Sequence, residues 1–271
     1  MNLLLSSNQH NIHQHITITG SKSESNRALL LQALYPAISI ENLSNSDDSQ
    51  VMQKGLQVHN GTVDIHHAGT AMRFLTAFFA TQEGRDVVLT GSQRMTERPI
   101  KILVDALGQL GADITYEKNE GYPPLKIKGK KITKHQVSLA ANVSSQYISA
   151  LLLVAPTLEN GLELTLEGKI TSVPYIKMTL ALLEEIGVST SFNGNVISVN
   201  PLAKISEKTL VVESDWSSAS YFYSIASLVE VGSEISIASY KATSLQGDSV
   251  LQEIYKPVSY THLRAHETDS Y

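Results

Sequence analysis

Short polar turns that precede apolar stretches are the features of this sequence best suited to bind charged ligands. Two of them carry arginine, at residues 20–27 (GSKSESNR) and 69–73 (GTAMR). Backbone N–H groups at a helix start, together with the helix dipole, attract anions, and a neighbouring Lys or Arg adds charge. Ser and Thr are also the usual N-caps, so a single turn of this kind indicates no more than capping. The recurrence of the turn favours anion binding.

Segment 20–27 carries the strongest chemical signal. Lys22 is a compact charge suited to a phosphate or carboxylate shared between two ligands, and Arg27 can bind either group through two parallel hydrogen bonds. The spacing is not that of a Walker loop, because G-x-x-x-x-G-K-[ST] is absent. The segment therefore predicts an anion site of another kind.

Four copies of the turn each precede an apolar helix, and this repetition predicts a repeated α/β unit. The further copies lie at residues 144–146 (SSQ) and 217–220 (SSAS). A helix without a polar face must be buried. Amphipathic helices are predicted between them at 100–112 and 176–188, and both close on apolar-Gly-apolar, the signature of a helix C-cap.

The helix at 100–112 shows which of its sides faces the core. Its polar and apolar residues follow the spacing of two separate helix faces. The polar face holds Lys101, Asp105 and Gln109, and the apolar face holds Leu103, Leu107 and Leu110. Strands are predicted at 16–19, 87–90, 162–166 and 196–199. The sequence thus predicts repeated βαβαββ units, with apolar helices inside and amphipathic helices outside.

The repeats also predict domain boundaries. Residues 20–212 hold three units and are expected to form a complete substrate-binding domain. Residues 1–19 are expected to supply a strand to a second domain, of which 213–257 is the start. Residues 258–271 show neither helical nor strand periodicity, which indicates a non-native tail from a fusion scar or frame error. A natural disordered tail is the alternative.

Composition excludes several classes of protein. The chain has 42% hydrophobic residues, so it can form a core. It has no cysteine, which removes disulfides, thiolate metal sites and cysteine nucleophiles. A net charge of −5 argues against a nucleic-acid surface. Its apolar runs are shorter than the roughly 18 residues of a membrane span. We therefore expect a cytoplasmic protein with neither nucleic-acid nor membrane partners.

Six ordered motifs resemble the EPSP synthase (3-phosphoshikimate 1-carboxyvinyltransferase) family. They are GSKSESNR (20–27), AGTAMR (68–73), RMTERPI (94–100), YPPL (122–125), VSSQ (143–146) and DWSSASYF (215–222). The resemblance covers residues 16–255, with motif order and spacing maintained. It implies an inside-out α/β barrel of the enolpyruvate transferase type with an incomplete second domain.

The resemblance also implies an activity and a site. The family transfers the enolpyruvyl group of phosphoenolpyruvate to the 5-hydroxyl of shikimate 3-phosphate and releases phosphate, without a metal or organic cofactor. The positions that match shikimate 3-phosphate ligands are Lys22, Ser23, Arg27, Ser144, Ser145, Gln146, Ser172 and Tyr175. Those that match phosphoenolpyruvate ligands are Lys22, Gly69, Arg94 and Gln146, and Lys22 is the expected catalytic residue. The full-length form is expected to be a monomer.

The sequence departs from the family pattern in its C-terminal half. The acid/base carboxylates of the family lie in motifs resembling DAAM, KE[ST]DR and NDHR, and none of these occurs here. The polypeptide is therefore expected to be a truncated form that binds shikimate 3-phosphate weakly at best and does not turn over. His67 and Phe74 stand where many members have Asn and Pro, and the loss of the proline is expected to shift the Gly69 backbone and alter affinity for phosphoenolpyruvate.

Several residues allow two readings. The histidines His10, His13, His15, His66 and His67 match no common metal spacing, so a surface role is favoured. Asp47 and Asp48 are predicted to cap a helix rather than bind metal. Glu24 is predicted to be a solvated helix-start residue rather than a general base.

The functions left open are distinct in their ligands. Besides the shikimate-pathway transferase, the alternatives are the sister enolpyruvyl transferase that acts on a UDP-sugar and a non-catalytic phosphate-binding domain.

Arg73 and Arg98 are expected either to touch substrate or to brace the turns through carboxylates.

Overall fold

The computed structural model describes residues 11–171 and 173–257. The helices are α1 (Lys22–Leu34), α2 (Asp47–Leu56), α3 (Gly69–Thr81), α4 (Gln93–Thr96), α5 (Lys101–Leu110), α6 (Ser145–Val154), α7 (Val173–Glu185), α8 (Trp216–Ala226) and α9 (Leu251–Tyr255), with 3₁₀ turns at Ala155–Thr157 and Gly247–Val250. The strands are β1 (His13–Ile16), β2 (Ile38–Glu41), β3 (Asn60–Asp64), β4 (Asp86–Thr90), β5 (Asp113–Tyr116), β6 (Leu125–Lys128), β7 (Gln136–Ala140), β8 (Leu162–Glu167), β9 (Thr190–Asn193), β10 (Val196–Val199), β11 (Lys208–Val211) and β12 (Glu234–Ile237).

Two four-stranded sheets share one topology. The first has the order β3-β4-β6-β5 and the second has the order β7-β8-β10-β9. In each sheet the first two strands are parallel and the remaining pairs are antiparallel. A helix joins each parallel pair, as a parallel connection requires, and another helix leads to the final hairpin. These are two copies of the predicted βαβαββ unit.

A third parallel pair is built from distant parts of the chain. Strand β11 pairs with β2, and α1 precedes β2 as α3 precedes β4. A separate parallel pair joins β1 to β12. The predicted repeated α/β fold is confirmed, whereas the boundaries between domains stay a prediction.

The apolar helices form the centre of the structure. Helix α3 is buried from Ala71 to Ala80, and α6 is buried along nearly its whole length. Helix α5 is amphipathic, and the predicted inner face, Leu103, Leu107 and Leu110, is fully buried. It ends at Gly111, whose φ of 100° places it in the left-handed region that glycine tolerates. The predicted buried positions of α1, α3 and α6 and the predicted outer position of α5 are confirmed, whereas α8, predicted to be buried, exposes one face, with Tyr221 72% exposed.

Some predicted boundaries were wrong. The polar turns 23–27 and 69–73 are already helical, because α1 begins at Lys22 and α3 begins at Gly69. Strand β1 spans His13–Ile16 instead of 16–19. At α2 the cap is Ser46, whose hydroxyl accepts a hydrogen bond from the Ser49 N–H, and Asp47 and Asp48 follow in the first turn.

A second, smaller core lies in the segment after residue 212. Trp216, Ala219 and Tyr223 of α8 pack with Ile18, and Trp216 is only 1% exposed. Several large apolar side chains of the same region remain exposed, and Tyr221, Leu228 and Ile254 are 72%, 86% and 61% exposed. Over the described residues, no helix combines the length and the apolar character that crossing a bilayer requires.

The exposed apolar residues around α8 and α9 should limit solubility. Replacing Leu228 and Ile254 together with glutamate should raise the soluble fraction of the expressed chain about twofold or more, because exposed apolar patches drive association. The fraction is measured by centrifugation and light scattering. The control is Ile102→Glu on α5, 40% exposed and outside this region. An equal gain from the control would contradict the assignment of the effect to this region.

Candidate functional site

The buried helices pack against one another, and the N-terminal ends of two of them lie close together. Helix α1 contacts α3, α6 and α7, and α6 contacts α3 and α7. The side-chain amide of Gln146, in the first turn of α6, donates a hydrogen bond of 3.1 Å to the hydroxyl of Thr70, in the first turn of α3. The starts of α3 and α6 are therefore adjacent. Free N–H groups at such ends favour bound anions.

Arg27 joins three of these helices through its guanidinium group. Its Nη1 donates to the Ser23 carbonyl at 2.7 Å, within α1. Its Nη2 donates to the Ser149 hydroxyl on α6 at 2.8 Å, and its Nε donates to the Thr179 hydroxyl on α7 at 2.8 Å. Arg27 is only 3% exposed. The guanidinium is thus held in one position between the helices.

Aromatic rings complete the surroundings of this guanidinium. Its carbon lies 5.5 Å from the ring centroid of Phe74 and 5.9 Å from that of Tyr175, within the range of cation–π attraction. Burial lowers the pKa of Arg27 to about 10, and nearby Tyr175 and Glu24 oppose this effect. The group remains a cation at neutral pH. Among the described residues, none of the ion pairs includes Arg27.

A buried cation without a salt-bridge partner is costly, because burial removes its hydration and the charge of Glu24 offsets only part of that loss. Proteins commonly retain such groups where an anionic ligand supplies the missing charge. Tyr175 is 43% exposed, so the ring stacked with Arg27 also reaches the surface. This arrangement suits the binding of a phosphate or carboxylate.

The start of α3 is enclosed by two further arginines. A Cβ added to Gly69 would lie 2.5 Å from Nη1 of Arg98 and 3.4 Å from Nη1 of Arg73. Arg73 is 4% exposed, and it donates to the carbonyls of Gly69 at 3.1 Å and Pro99 at 3.2 Å. Burial lowers the pKa of Arg73. Arg73 therefore braces the turn through carbonyl groups, whereas the sequence suggested carboxylates.

Lys22 and the serines of α6 occupy helix starts. The Ser144 hydroxyl accepts a hydrogen bond from the Gln146 N–H at 3.3 Å, so Ser144 is an N-cap. Ser145 is buried. Lys22 Nζ lies 3.9 Å from a carboxylate oxygen of Asp48, and half of its side chain is exposed. Lys22 is accessible to a ligand.

The structure brings only some of the predicted site residues into direct contact. Ser23, Arg27 and Tyr175 form one group, and Gln146 lies beside Thr70, the neighbour of Gly69. Arg94 is exposed on α4, and within the described part of the chain no hydrogen bond or ion pair joins it to the others. Ser172 lies outside the described residues. The ligand roles of these residues stay a prediction.

Three partners of the site were missed by sequence reasoning. Thr70, Ser149 and Thr179 all hydrogen-bond to predicted site residues. Ser149 and Thr179 are fully buried hydroxyls in largely apolar stretches of helix. A polar residue at a buried helical position was the available signal, since such groups require a partner.

The prediction for Glu24 was wrong. Glu24 is 1% exposed rather than solvated, and its carboxylate lies 3.3 Å from Nζ of Lys241. Burial raises the pKa of Glu24, and Lys241 opposes that rise. Glu24 is therefore part of a partly buried ion pair with a residue far along the chain.

Comparison with known proteins identifies the family. A family model described as EPSP synthase (3-phosphoshikimate 1-carboxyvinyltransferase) matches residues 57–270. The chain belongs to the EPSP synthase family. The match extends into residues 258–271, whose origin stays a prediction.

Relatives of this EPSP synthase family chain are longer than the chain itself. A 3-phosphoshikimate 1-carboxyvinyltransferase of Bacteroides fragilis is 48% identical over 242 residues, which cover 89% of this chain and 58% of the relative. That of Colwellia psychrerythraea is 38% identical over 273 residues, covering 90% of this chain and 63% of the relative. The chain thus spans about three fifths of these relatives.

A solved structure supports the fold. EPSP synthase from Acinetobacter baumannii superposes with a TM-score of 0.71 at 22% identity, covering 86% of this chain and 57% of that one. At this identity the likeness establishes the architecture alone, an α/β fold of the enolpyruvate transferase type.

Proposed function

We propose that this chain is the shikimate 3-phosphate-binding part of an enzyme that transfers the enolpyruvyl group from phosphoenolpyruvate to the 5-hydroxyl of shikimate 3-phosphate. The observation that carries the proposal is the buried Arg27 cation, held between three helices without a salt bridge in the described residues. The names of the relatives point to the same reaction. Phosphate would be the second product.

The charges around the helix starts suit two anionic substrates. Shikimate 3-phosphate would be held by Lys22, Ser23, Arg27, Ser144, Ser145, Gln146, Ser172 and Tyr175, and phosphoenolpyruvate by Lys22, Gly69, Arg94 and Gln146. Fixed positive groups reduce the repulsion between two polyanions and orient them for attack. Lys22, whose side chain is half exposed, would contact both ligands and act in catalysis.

We propose a separate role for each of the predicted domains. Residues 20–212 would bind substrate, while 1–19 and 213–257 would belong to a second domain. The acid/base carboxylates would come from the part of the relatives that this chain does not cover. We propose that the enzyme is a cytoplasmic monomer. It would need no cofactor, because the chemistry requires only proton transfer and electrostatic stabilisation.

Binding and turnover should separate in this chain. In an NMR titration of the 271-residue chain, shikimate 3-phosphate should bind with a dissociation constant of about 100 µM, and phosphate release from the complete reaction should be absent. UDP-N-acetylglucosamine at the same concentrations is the control, since it is the substrate class of the sister transferase. Binding of the UDP-sugar in place of shikimate 3-phosphate would overturn the proposal.

A further inference from the structure

A partly buried ion pair links the first turn of α1 to the segment after residue 212. Glu24 accepts a hydrogen bond from Lys241 through Oε1, and its Oε2 has no hydrogen-bond partner among the described residues. The Lys241 side chain is 36% exposed, so solvent reaches one side of the pair. The two residues are 217 positions apart in the sequence.

Lys241 is itself held in place by a second carboxylate. Glu213 is 1% exposed, and its Oε1 accepts hydrogen bonds from the Lys241 N–H at 3.0 Å and the Trp216 indole at 2.8 Å. Its Oε2 accepts from the hydroxyl of Ser244 and, at 3.4 Å, from the amide of Gln246. The position from which Lys241 reaches Glu24 is therefore fixed.

The same segment also contacts the chain just before α1. The Ser21 N–H donates to the Glu213 carbonyl at 2.8 Å, and Gly20 forms an isolated antiparallel bridge with Ser214. These are backbone contacts at the entrance to the helix. The Glu24–Lys241 pair adds a side-chain contact one turn further along α1. Glu24 lies in the sequence between the predicted ligand residues Ser23 and Arg27.

Burial of the Glu24 carboxylate is unfavourable, and the ion pair with Lys241 offsets part of this cost. Burial raises the pKa of Glu24, as does the charge of Glu213, while Lys241 lowers it. A carboxyl whose pKa is raised on folding contributes stability below its unfolded pKa, and that contribution is lost as pH rises through the folded value. At neutral pH the charged form of Glu24 is therefore the costly one, and Lys241 offsets the cost.

We propose that Glu24 and Lys241 are positioning residues, and that their ion pair holds the first turn of α1 in the orientation in which Lys22, Ser23 and Arg27 meet an anionic substrate. The proposal rests on the proposed function for the identity of that ligand. It predicts that breaking the pair loosens the helix start and weakens binding, with neither residue proposed as a ligand contact. Preorganisation of a site raises affinity in this way.

The test uses the whole chain and four variants. Glu24→Gln, Lys241→Met and the double variant are compared with the parent by amide hydrogen exchange at Ser21 and Ser25, and by NMR titration with shikimate 3-phosphate. The Ser21 N–H donates to Glu213 and the Ser25 N–H donates to the Ser21 carbonyl, so both report on the helix start. Glu120→Gln is the matched control, because it breaks an exposed ion pair with Lys101 on α5.

Each single variant should exchange these amides about tenfold faster and bind shikimate 3-phosphate about tenfold more weakly, and the double variant should be no worse than either single. The urea unfolding midpoint of Glu24→Gln should equal or exceed that of the parent, because the variant removes a buried charge. Weaker binding by this variant would then result from a displaced helix start and not from unfolding. Binding and exchange as in the parent, or additive losses in the double variant, would overturn the proposal. If the parent fails to bind shikimate 3-phosphate, the proposed function is wrong, and amide exchange alone tests the ion pair. Faster exchange in the variants then supports the positioning role of the pair, and unchanged exchange contradicts it.

Discussion

Replacing Arg27 with methionine should weaken binding of shikimate 3-phosphate at least about thirtyfold while costing no more than about 2 kcal/mol of unfolding free energy. The loss of affinity follows from removing a cation placed to pair with the ligand. Hydrogen bonds to charged groups contribute more than neutral ones, and truncating one partner leaves the other without compensation.

The small cost in stability follows from the partners of Arg27. The Thr179 hydroxyl also donates to the Tyr175 carbonyl at 2.9 Å and lies 2.9 Å from the Ser149 hydroxyl. Both hydroxyls therefore keep a partner when the guanidinium is removed. Methionine fills much of the space against Phe74, and the burial cost of the charge disappears.

Urea unfolding and NMR titration measure the two effects separately. Arg85→Met is the matched control, since Arg85 also lies near aromatic rings, 5.3 Å from Phe78 and 6.0 Å from Phe79, away from the grouped site residues. The control should bind shikimate 3-phosphate as the parent does. If Arg27→Met kept the affinity of the parent, the anion site would have to lie elsewhere.

Local periodicity predicted much of the fold. The stripe of Leu103, Leu107 and Leu110 faces the core, and Gly111 ends the helix, because side-chain spacing and glycine conformation are properties of a few neighbouring residues. The internal repeat added the order of the units. Helix starts were placed too late at α1 and α3, since Ser-rich segments favour both caps and first turns.

Long-range contacts could not be predicted in the same way. Glu24 has the features of a solvated helix-start residue in the sequence, but it is buried, and its ion-pair partner Lys241 lies 217 positions away. The partners of Arg27 on α6 and α7 likewise depend on how separate units pack. The anion site was predicted from the recurring polar turns. The residues that orient its side chains lie elsewhere in the chain, and no sequence pattern near the turns indicates them.

Replacing Gly20 with alanine should destabilise the fold by about 3 kcal/mol or more. A Cβ at this position would lie 1.9 Å from the Asn42 carbonyl oxygen and 2.7 Å from a methyl group of Val212. The first clash is with backbone, so rotation of a side chain cannot relieve it. The chain must move where Gly20 bridges Ser214, immediately before α1.

The matched control is Gly108→Ala in the middle of α5. An added Cβ there meets no heavy atom within 4 Å, so the substitution should stabilise the fold by about 0.5–1 kcal/mol through helix propensity. Urea unfolding of both variants gives the comparison, and titration with shikimate 3-phosphate shows whether a displaced α1 start also weakens binding. Equal stability of the Gly20 variant and the parent would mean that the strand-to-helix connection is not packed against Asn42. The close approach that sets the direction of α1 would then be absent in solution, and the site built on its first turns would lose its support.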